Sequence, residues 1–219
     1  MFVNHNGIQI YYEVKGNGRP LILLHGNGED HTIFDESAEV LAQQYTCYLV
    51  DSRGHGQSTS VAELHYQDMA DDMIALMEKL DLNDVAFYGF SDGGIIGLLA
   101  AMRCDRITDL ITSGANLTPN GVKPWLKRFI QGMYFLTKDP KMRLMLEEPH
   151  ITRDELQNIH ARTLILAGSH DAVKEKETLQ IAEGVPNATL HIIDGETHGS
   201  YIVHSRKIAD LLAGWLSQR

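Results

Sequence analysis

The stretch Tyr88-Gly89-Phe90-Ser91-Asp92-Gly93-Gly94 constrains this chain more than any other. It follows the apolar run Val85-Ala86-Phe87 and precedes Ile95-Ile96-Gly97-Leu98-Leu99-Ala100-Ala101, which reads as a helix. A serine with glycine two residues to either side, between a strand and a helix, is the nucleophile-elbow pattern. The turn is so tight that the serine takes a strained backbone angle, and the flanking positions carry almost no side chain. In return the serine Oγ stands exposed at the positive end of a helix, where developing negative charge is best tolerated. A chain built on this turn must supply a base, an acid and an oxyanion hole from elsewhere.

Taken in order, the chain alternates strands and helices. Phe2-Val3-Asn4, a turn at Asn6-Gly7 and the alternating run from Ile8 to Val14 predict a hairpin. Leu21-Ile22-Leu23-Leu24 is a short continuous apolar run, the mark of a strand buried on both faces of a parallel sheet. A helix is expected over about 32–44, a strand at Thr46-Cys47-Tyr48-Leu49-Val50, and a glycine-rich loop at Asp51–Ser58. Met69, Met73, Leu76, Met77 and Leu80 recur at helical spacing and predict a helix over 66–80. Gly93, Gly94 and Gly97 each weaken a helix by about 1 kcal/mol, which close packing of that helix on the sheet would explain. Strands follow at Ile107–Ile111, Thr163–Ala167 and Thr189–Ile193, with helices at Glu175–Glu183 and about 205–217. Such alternation gives a mostly parallel α/β sheet with right-handed crossovers, read here as a single domain over 1–219.

Between 117 and 160 the pattern changes. Trp125, Phe129 and Met133 lie four apart, with Leu126, Ile130 and Tyr134 beside them, and Met142 and Met145 follow. This reads as a small helical cap inserted at the elbow's end of the sheet. Trp125, Phe129, Met133 and Tyr134 are its expected substrate contacts. Thr152 with Glu155 makes a capping box for the helix that ends it.

The partners of Ser91 are found by elimination. In sheets of this kind the order along the chain is serine, acid, histidine, each on a loop at the carboxyl end of a strand. Downstream of Ser91, His150 and His160 belong to the insertion, His191 lies within a strand and His204 near a helix start. His170 adjoins the best acid and is poorly placed to face it. His198, after the last strand, is therefore the expected base. Asp171, in Gly168-Ser169-His170-Asp171, is the expected acid; Asp194 is too close to His198 in sequence and belongs to a turn. The oxyanion hole needs two backbone N–H groups: one from Asp92, following the nucleophile, the other from Asn27 in His25-Gly26-Asn27-Gly28. His25, Arg53 and the glycines of the 51–58 loop are expected to brace the site.

Composition closes off other classes. A net charge of −10 over 219 residues argues against a nucleic-acid surface and gives no reason to expect anionic lipid. No apolar run is long enough to span a bilayer, so no membrane association is expected. The opening Met1-Phe2-Val3-Asn4-His5-Asn6 lacks a basic region followed by an apolar core, so no secretory leader is expected. Two cysteines, Cys47 and Cys104, are too few for a disulfide framework and fit buried thiols in a reducing cytoplasm. No histidine or cysteine spacing fits a metal site, and there is no phosphate-binding glycine loop. The oligomeric state is not legible.

His25-Gly26, Asp51-Ser52-Arg53-Gly54-His55-Gly56-Gln57-Ser58, Gly89-Phe90-Ser91-Asp92-Gly93, Gly168-x-x-Asp171 and Thr197-His198-Gly199 together resemble the α/β-hydrolase superfamily over nearly the whole chain. The resemblance implies the α/β-hydrolase fold: a mostly parallel eight-stranded sheet with its second strand antiparallel, flanked by helices. It also implies a Ser-Asp-His triad and no cofactor. Gly-Phe-Ser-Asp-Gly-Gly-Ile and Ser113-Gly114-Ala115-Asn116 are most similar to the biphenyl-hydrolase-like esterases, the valacyclovir hydrolase group. The expected activity is hydrolysis of small-molecule carboxylic esters through an acyl-enzyme. Lactonase, perhydrolase and carbon–carbon bond hydrolase chemistry share the same triad, and a non-catalytic ligand receptor could share the fold. The carboxylate of Asp92 has two readings: a complement to the helix dipole, or, as the resemblance suggests, a partner for a substrate ammonium.

Overall fold

The computed structural model describes residues 1–218. Among these, eight strands form one sheet: β1 (Phe2–His5), β2 (Ile8–Lys15), β3 (Arg19–Leu24), β4 (Tyr45–Val50), β5 (Val85–Phe90), β6 (Ile107–Ser113), β7 (Arg162–His170) and β8 (Ala188–Thr197). Their spatial order is β1-β2-β4-β3-β5-β6-β7-β8. β2 runs antiparallel to both β1 and β4, and every other pairing is parallel. The hairpin β1–β2 turns at Asn6 and Gly7, both with positive φ (51° and 83°), as an Asn-Gly turn requires.

The apolar run of β3 shows how the sheet is covered. Ile22 and Leu24 pack into one core with Met69, Met73 and Leu76 of helix α2 (Tyr66–Lys79) and Leu98 of α3 (Asp92–Ala101). Leu21 and Leu23 point the other way, into a second core with Leu41 of α1 (Asp35–Leu41) and Ile208 and Leu212 of α8 (Lys207–Leu216). Alternate residues of a strand face opposite sides, so a strand that is apolar throughout needs helices on both. The helix expected over 32–44 divides into a 3₁₀ turn, His31–Phe34, capped by the Asp30 carboxylate, and the shorter α1.

From β6 the chain passes through α4 (Pro124–Thr137), α5 (Pro140–Glu147) and the single turn α6 (Arg153–Leu156) before returning in β7. The Thr152–Glu155 capping box is formed in both directions. Helix α7 (Glu175–Gly184) separates β7 from β8. Arg53 clamps the 51–58 loop to α2, gripping both oxygens of buried Asp72 at 2.6 and 2.8 Å. No helix among the described residues is long and apolar enough to cross a membrane.

Candidate active site

β5 lies in the middle of the sheet, and Ser91 follows it at φ 52° and ψ −114°, a strained conformation for a residue with a side chain. The neighbouring glycines make the turn possible. A β-carbon on Gly89 would lie 2.1 Å from the Gly93 carbonyl oxygen, and one on Gly93 would lie 2.2 Å from that of Leu24. The Ser91 N–H donates to the Ser113 carbonyl at 2.7 Å, while its own carbonyl accepts the first bonds of α3 from Gly94 and Ile95.

The loop after β8 brings His198 over the serine. Nε2 of the imidazole is 3.0 Å from Ser91 Oγ, and Nδ1 is 2.7 Å from Asp171 Oδ1. Facing a carboxylate, Nδ1 carries the hydrogen, which leaves Nε2 as the acceptor toward the serine hydroxyl. Asp171 is 5% exposed and also accepts from the Val173 N–H at 2.8 Å. Burial alone would raise its carboxyl, but the hydrogen bond and charge of His198 outweigh that and hold it below the usual range. Phe90 packs against the imidazole, ring centres 5.0 Å apart.

Asn27 and Asp92 are joined through their side chains: Asn27 Nδ2 donates to Asp92 Oδ2 at 2.9 Å and to the Lys141 carbonyl of α5 at 3.1 Å. Their backbone N–H groups meet no acceptor among the described residues, whereas the Gly26 N–H is taken by Glu29 Oε2 at 3.0 Å. Asp92 is only 3% exposed, and Tyr66 of α2 hydrogen-bonds its carboxylate as well. Burial raises its carboxyl above the usual range, with those hydrogen bonds opposing. The Asp92 side chain is thus turned behind the elbow, away from the cavity at Ser91.

His25 and the 51–58 loop sit behind the 26–29 loop. The buried His25 accepts the Ser52 N–H on Nε2 at 3.1 Å and donates from Nδ1 to the Gly26 carbonyl at 2.7 Å. Burial first, then the neighbouring His55, lowers it to about 4. One group of described residues, Asp30, His31 and Asp51, brings three metal-ligand types together. Its atoms are already engaged: Asp30 caps the 3₁₀ turn, and Asp51 accepts from the His31 ring, the His31 N–H and the Gln57 N–H.

A cavity of about 200 Å³ opens above Ser91 and His198. Its roof is Leu126, Phe129 and Ile130 of α4 with Met142 and Met145 of α5. Of the four expected contacts, only Phe129 is there. Trp125, Met133 and Tyr134 lie outside the lining, and Phe129, at its rim, is itself 60% exposed. The strip of α4 that lines the cavity is 126, 129 and 130, spaced i, i+3, i+4, and the rest of the roof comes from α5. Glu29, which no sequence motif marks, also lines the cavity. Only its place just after the Gly26-Asn27-Gly28 loop could have drawn attention to it.

The family model for the α/β hydrolase fold matches residues 19–150, and the chain belongs to that family. Over 117 residues it is 29% identical to the pimeloyl-[acyl-carrier protein] methyl ester esterase of Aliivibrio fischeri, covering 53% of this chain and 44% of that protein. This chain thus spans under half the length of that relative. The AB hydrolase superfamily protein YisY of Bacillus subtilis is 27% identical over 94% of each chain. Among solved structures, the esterase EaEST of Exiguobacterium antarcticum superposes with a TM-score of 0.87 at 22% identity, over 99% of this chain and 98% of the other. The meta-cleavage product hydrolase CumD of Pseudomonas fluorescens superposes with a TM-score of 0.82 at 19% identity, over 100% and 97%.

Proposed function

We propose that this protein is a serine hydrolase that cleaves small-molecule carboxylic esters through an acyl-enzyme. The observation that carries the reading is the unbroken chain from Ser91 Oγ through His198 to Asp171, at 3.0 and 2.7 Å, opening on a cavity. Ser91 Oγ attacks the ester carbonyl while His198 Nε2 takes its proton. The oxyanion rests on the free N–H groups of Asn27 and Asp92. As the carbonyl re-forms, His198 passes the proton to the leaving alcohol. Water then attacks the acyl group with His198 again as base, releasing the acid and restoring the serine. Asp171 holds the imidazole's tautomer and balances its positive charge. Residues 117–160 act as a cap on the single domain, α4 and α5 roofing the acyl or alcohol group. The unpaired, buried Cys47 and Cys104 support a cytoplasmic setting.

The test is labelling with a fluorophosphonate probe alongside a screen of p-nitrophenyl esters and lactones. Ser91→Ala should lose the label and about 10⁴–10⁶ in kcat. Undiminished ester turnover by purified Ser91→Ala would overturn the reading, and turnover of lactones alone would redirect it.

A further inference from the structure

Glu29 stands apart from the other acids near the core. Buried Asp72 is gripped by Arg53, Asp109 by Arg19 and Arg162, and Asp171 by His198 and the Val173 N–H. Asp51, Asp92 and Glu177 each take two or more hydrogen bonds. Glu29 accepts one, from the Gly26 N–H on Oε2, and its Oε1 has no partner among the described residues; Asp171 Oδ2 also lacks one, but Asp171 is already paired with His198. It is also the one carboxylate lining the cavity above Ser91, and no lysine or arginine lines that cavity.

Its position relative to the chemistry is fixed by Gly26. The point where a Gly26 β-carbon would stand is 2.8 Å from Glu29 Oε2 and 3.1 Å from Ser91 Cβ. Carboxylate and nucleophile therefore flank the same α-carbon. An unpaired negative charge there repels a substrate carboxylate and opposes the developing oxyanion. A positive charge on the substrate relieves both effects. Partial burial already raises the Glu29 carboxyl, with the Gly26 N–H and the charge of His198 opposing, so a counter-charge has something to offset.

Resting on the ester-hydrolase reading above, we infer that Glu29 selects substrates by charge. It favours esters that carry an ammonium group near the reacting carbonyl and rejects isosteres with a carboxylate there.

The experiment compares kcat/KM for benzyl β-alaninate, benzyl butanoate and monobenzyl succinate, following benzyl alcohol release, in wild type and Glu29→Gln. Glutamine keeps an acceptor for the Gly26 N–H and removes the charge. Wild type should prefer the ammonium ester over the neutral one by about 10-fold and disfavour the carboxylate ester by a similar factor. In Glu29→Gln both ratios should fall toward one. Turnover with the same ratios in both proteins overturns this inference alone; no turnover of any of the three, with Ser91 unlabelled, overturns the hydrolase reading with it. Should Glu29→Gln not fold, the wild type decides. Butylammonium should then inhibit benzyl butanoate hydrolysis about 10-fold more tightly than butanol, an advantage that shrinks with added salt, and equal inhibition by the two refutes the assignment.

Discussion

Gly114 offers a direct way to disturb the geometry at His198 from a residue with no functional group. It follows β6 at φ +64°, and a β-carbon there would stand 2.6 Å from Cε1 and 2.8 Å from Nδ1 of His198. Unstrained carbon contacts are about 3.5–4.0 Å, so in Gly114→Ala the imidazole must retreat by roughly 1 Å. It has room to do so, because its side chain is 25% exposed and sits on a loop. The retreat breaks the 2.7 Å bond to Asp171 or the 3.0 Å approach to Ser91, or both. Misplacement of a catalytic group by about 1 Å costs on the order of 10² in rate. The left-handed backbone adds about 1–2 kcal/mol of destabilisation for alanine, which for a chain of this size lowers Tm by roughly 2–8 °C. The assay is kcat on p-nitrophenyl acetate with Tm by differential scanning fluorimetry. Gly7→Ala is the control: its φ is +83° with nothing within 4 Å, so it should lose stability by a similar amount and no kcat. If Gly114→Ala lost only what Gly7→Ala loses, with kcat intact, the imidazole would not stand where the structure puts it.

Asp171→Asn should fold and lose about 10⁴ in kcat, read in the same ester assay, because asparagine cannot hold the productive tautomer. It should also change acid stability. The carboxyl of Asp171 is held below its unfolded value, so its contribution is present above about pH 3.9 and lost as pH falls through the folded value. The urea-midpoint gap between wild type and Asp171→Asn should therefore close in acid. Asp92, raised by burial, has the opposite sign: its contribution is present below about pH 3.9 and lost as pH rises through the folded value. The midpoint of wild type relative to Asp92→Asn should thus fall between acid and neutral pH. Phe129→Ala should shift KM and the ranking of acyl chains, whereas Trp125→Ala, outside the cavity, should leave both unchanged; a KM shift for Trp125→Ala as large as that for Phe129→Ala would contradict the roof described above.

What was legible in the sequence was whatever backbone geometry demands of residue type. Gly89 and Gly93 could be read because carbonyl oxygens occupy the space of their β-carbons, and the Asn6-Gly7 turn because two successive positive φ values admit few residues. His198 and Asp171 could be chosen because a parallel sheet delivers successive loops to one edge, and that edge carries Ser91. The roof was not legible in the same way. Helix α4 is apolar at 125, 126, 129, 130, 133, 134, 135 and 136, so its periodicity marks no single face. Which strip turns inward is decided by α5, whose Met142 and Met145 share the cavity with Leu126, Phe129 and Ile130. Trp125, Phe135 and Leu136 are left largely exposed outside the cavity, and Phe129 is largely exposed at its rim.

Asp92 and Glu29 show where chain order misleads. Asp92 follows Ser91 directly and is the natural candidate to meet a charged substrate. Glu29 lies more than sixty residues away in a loop and carries no motif. Packing reverses their standing. A residue in the first turn of α3 can turn its side chain back against α2, and there Tyr66 and Asn27 satisfy the Asp92 carboxylate in a buried setting. Its backbone N–H stays at the elbow while its charge is withdrawn behind it. Glu29 reaches the cavity because the loop after β3 doubles back until its carboxylate caps the Gly26 N–H, one residue from Asn27. The loop proposed to support the oxyanion and the charged wall of the cavity are thus one short segment, 26–29, and under the proposed function a change that reshapes this loop should alter oxyanion support and substrate charge preference together. Sequence adjacency fixes which backbone groups meet at the elbow, and the tertiary packing of α2 and the 26–29 loop decides which carboxylate faces the cavity.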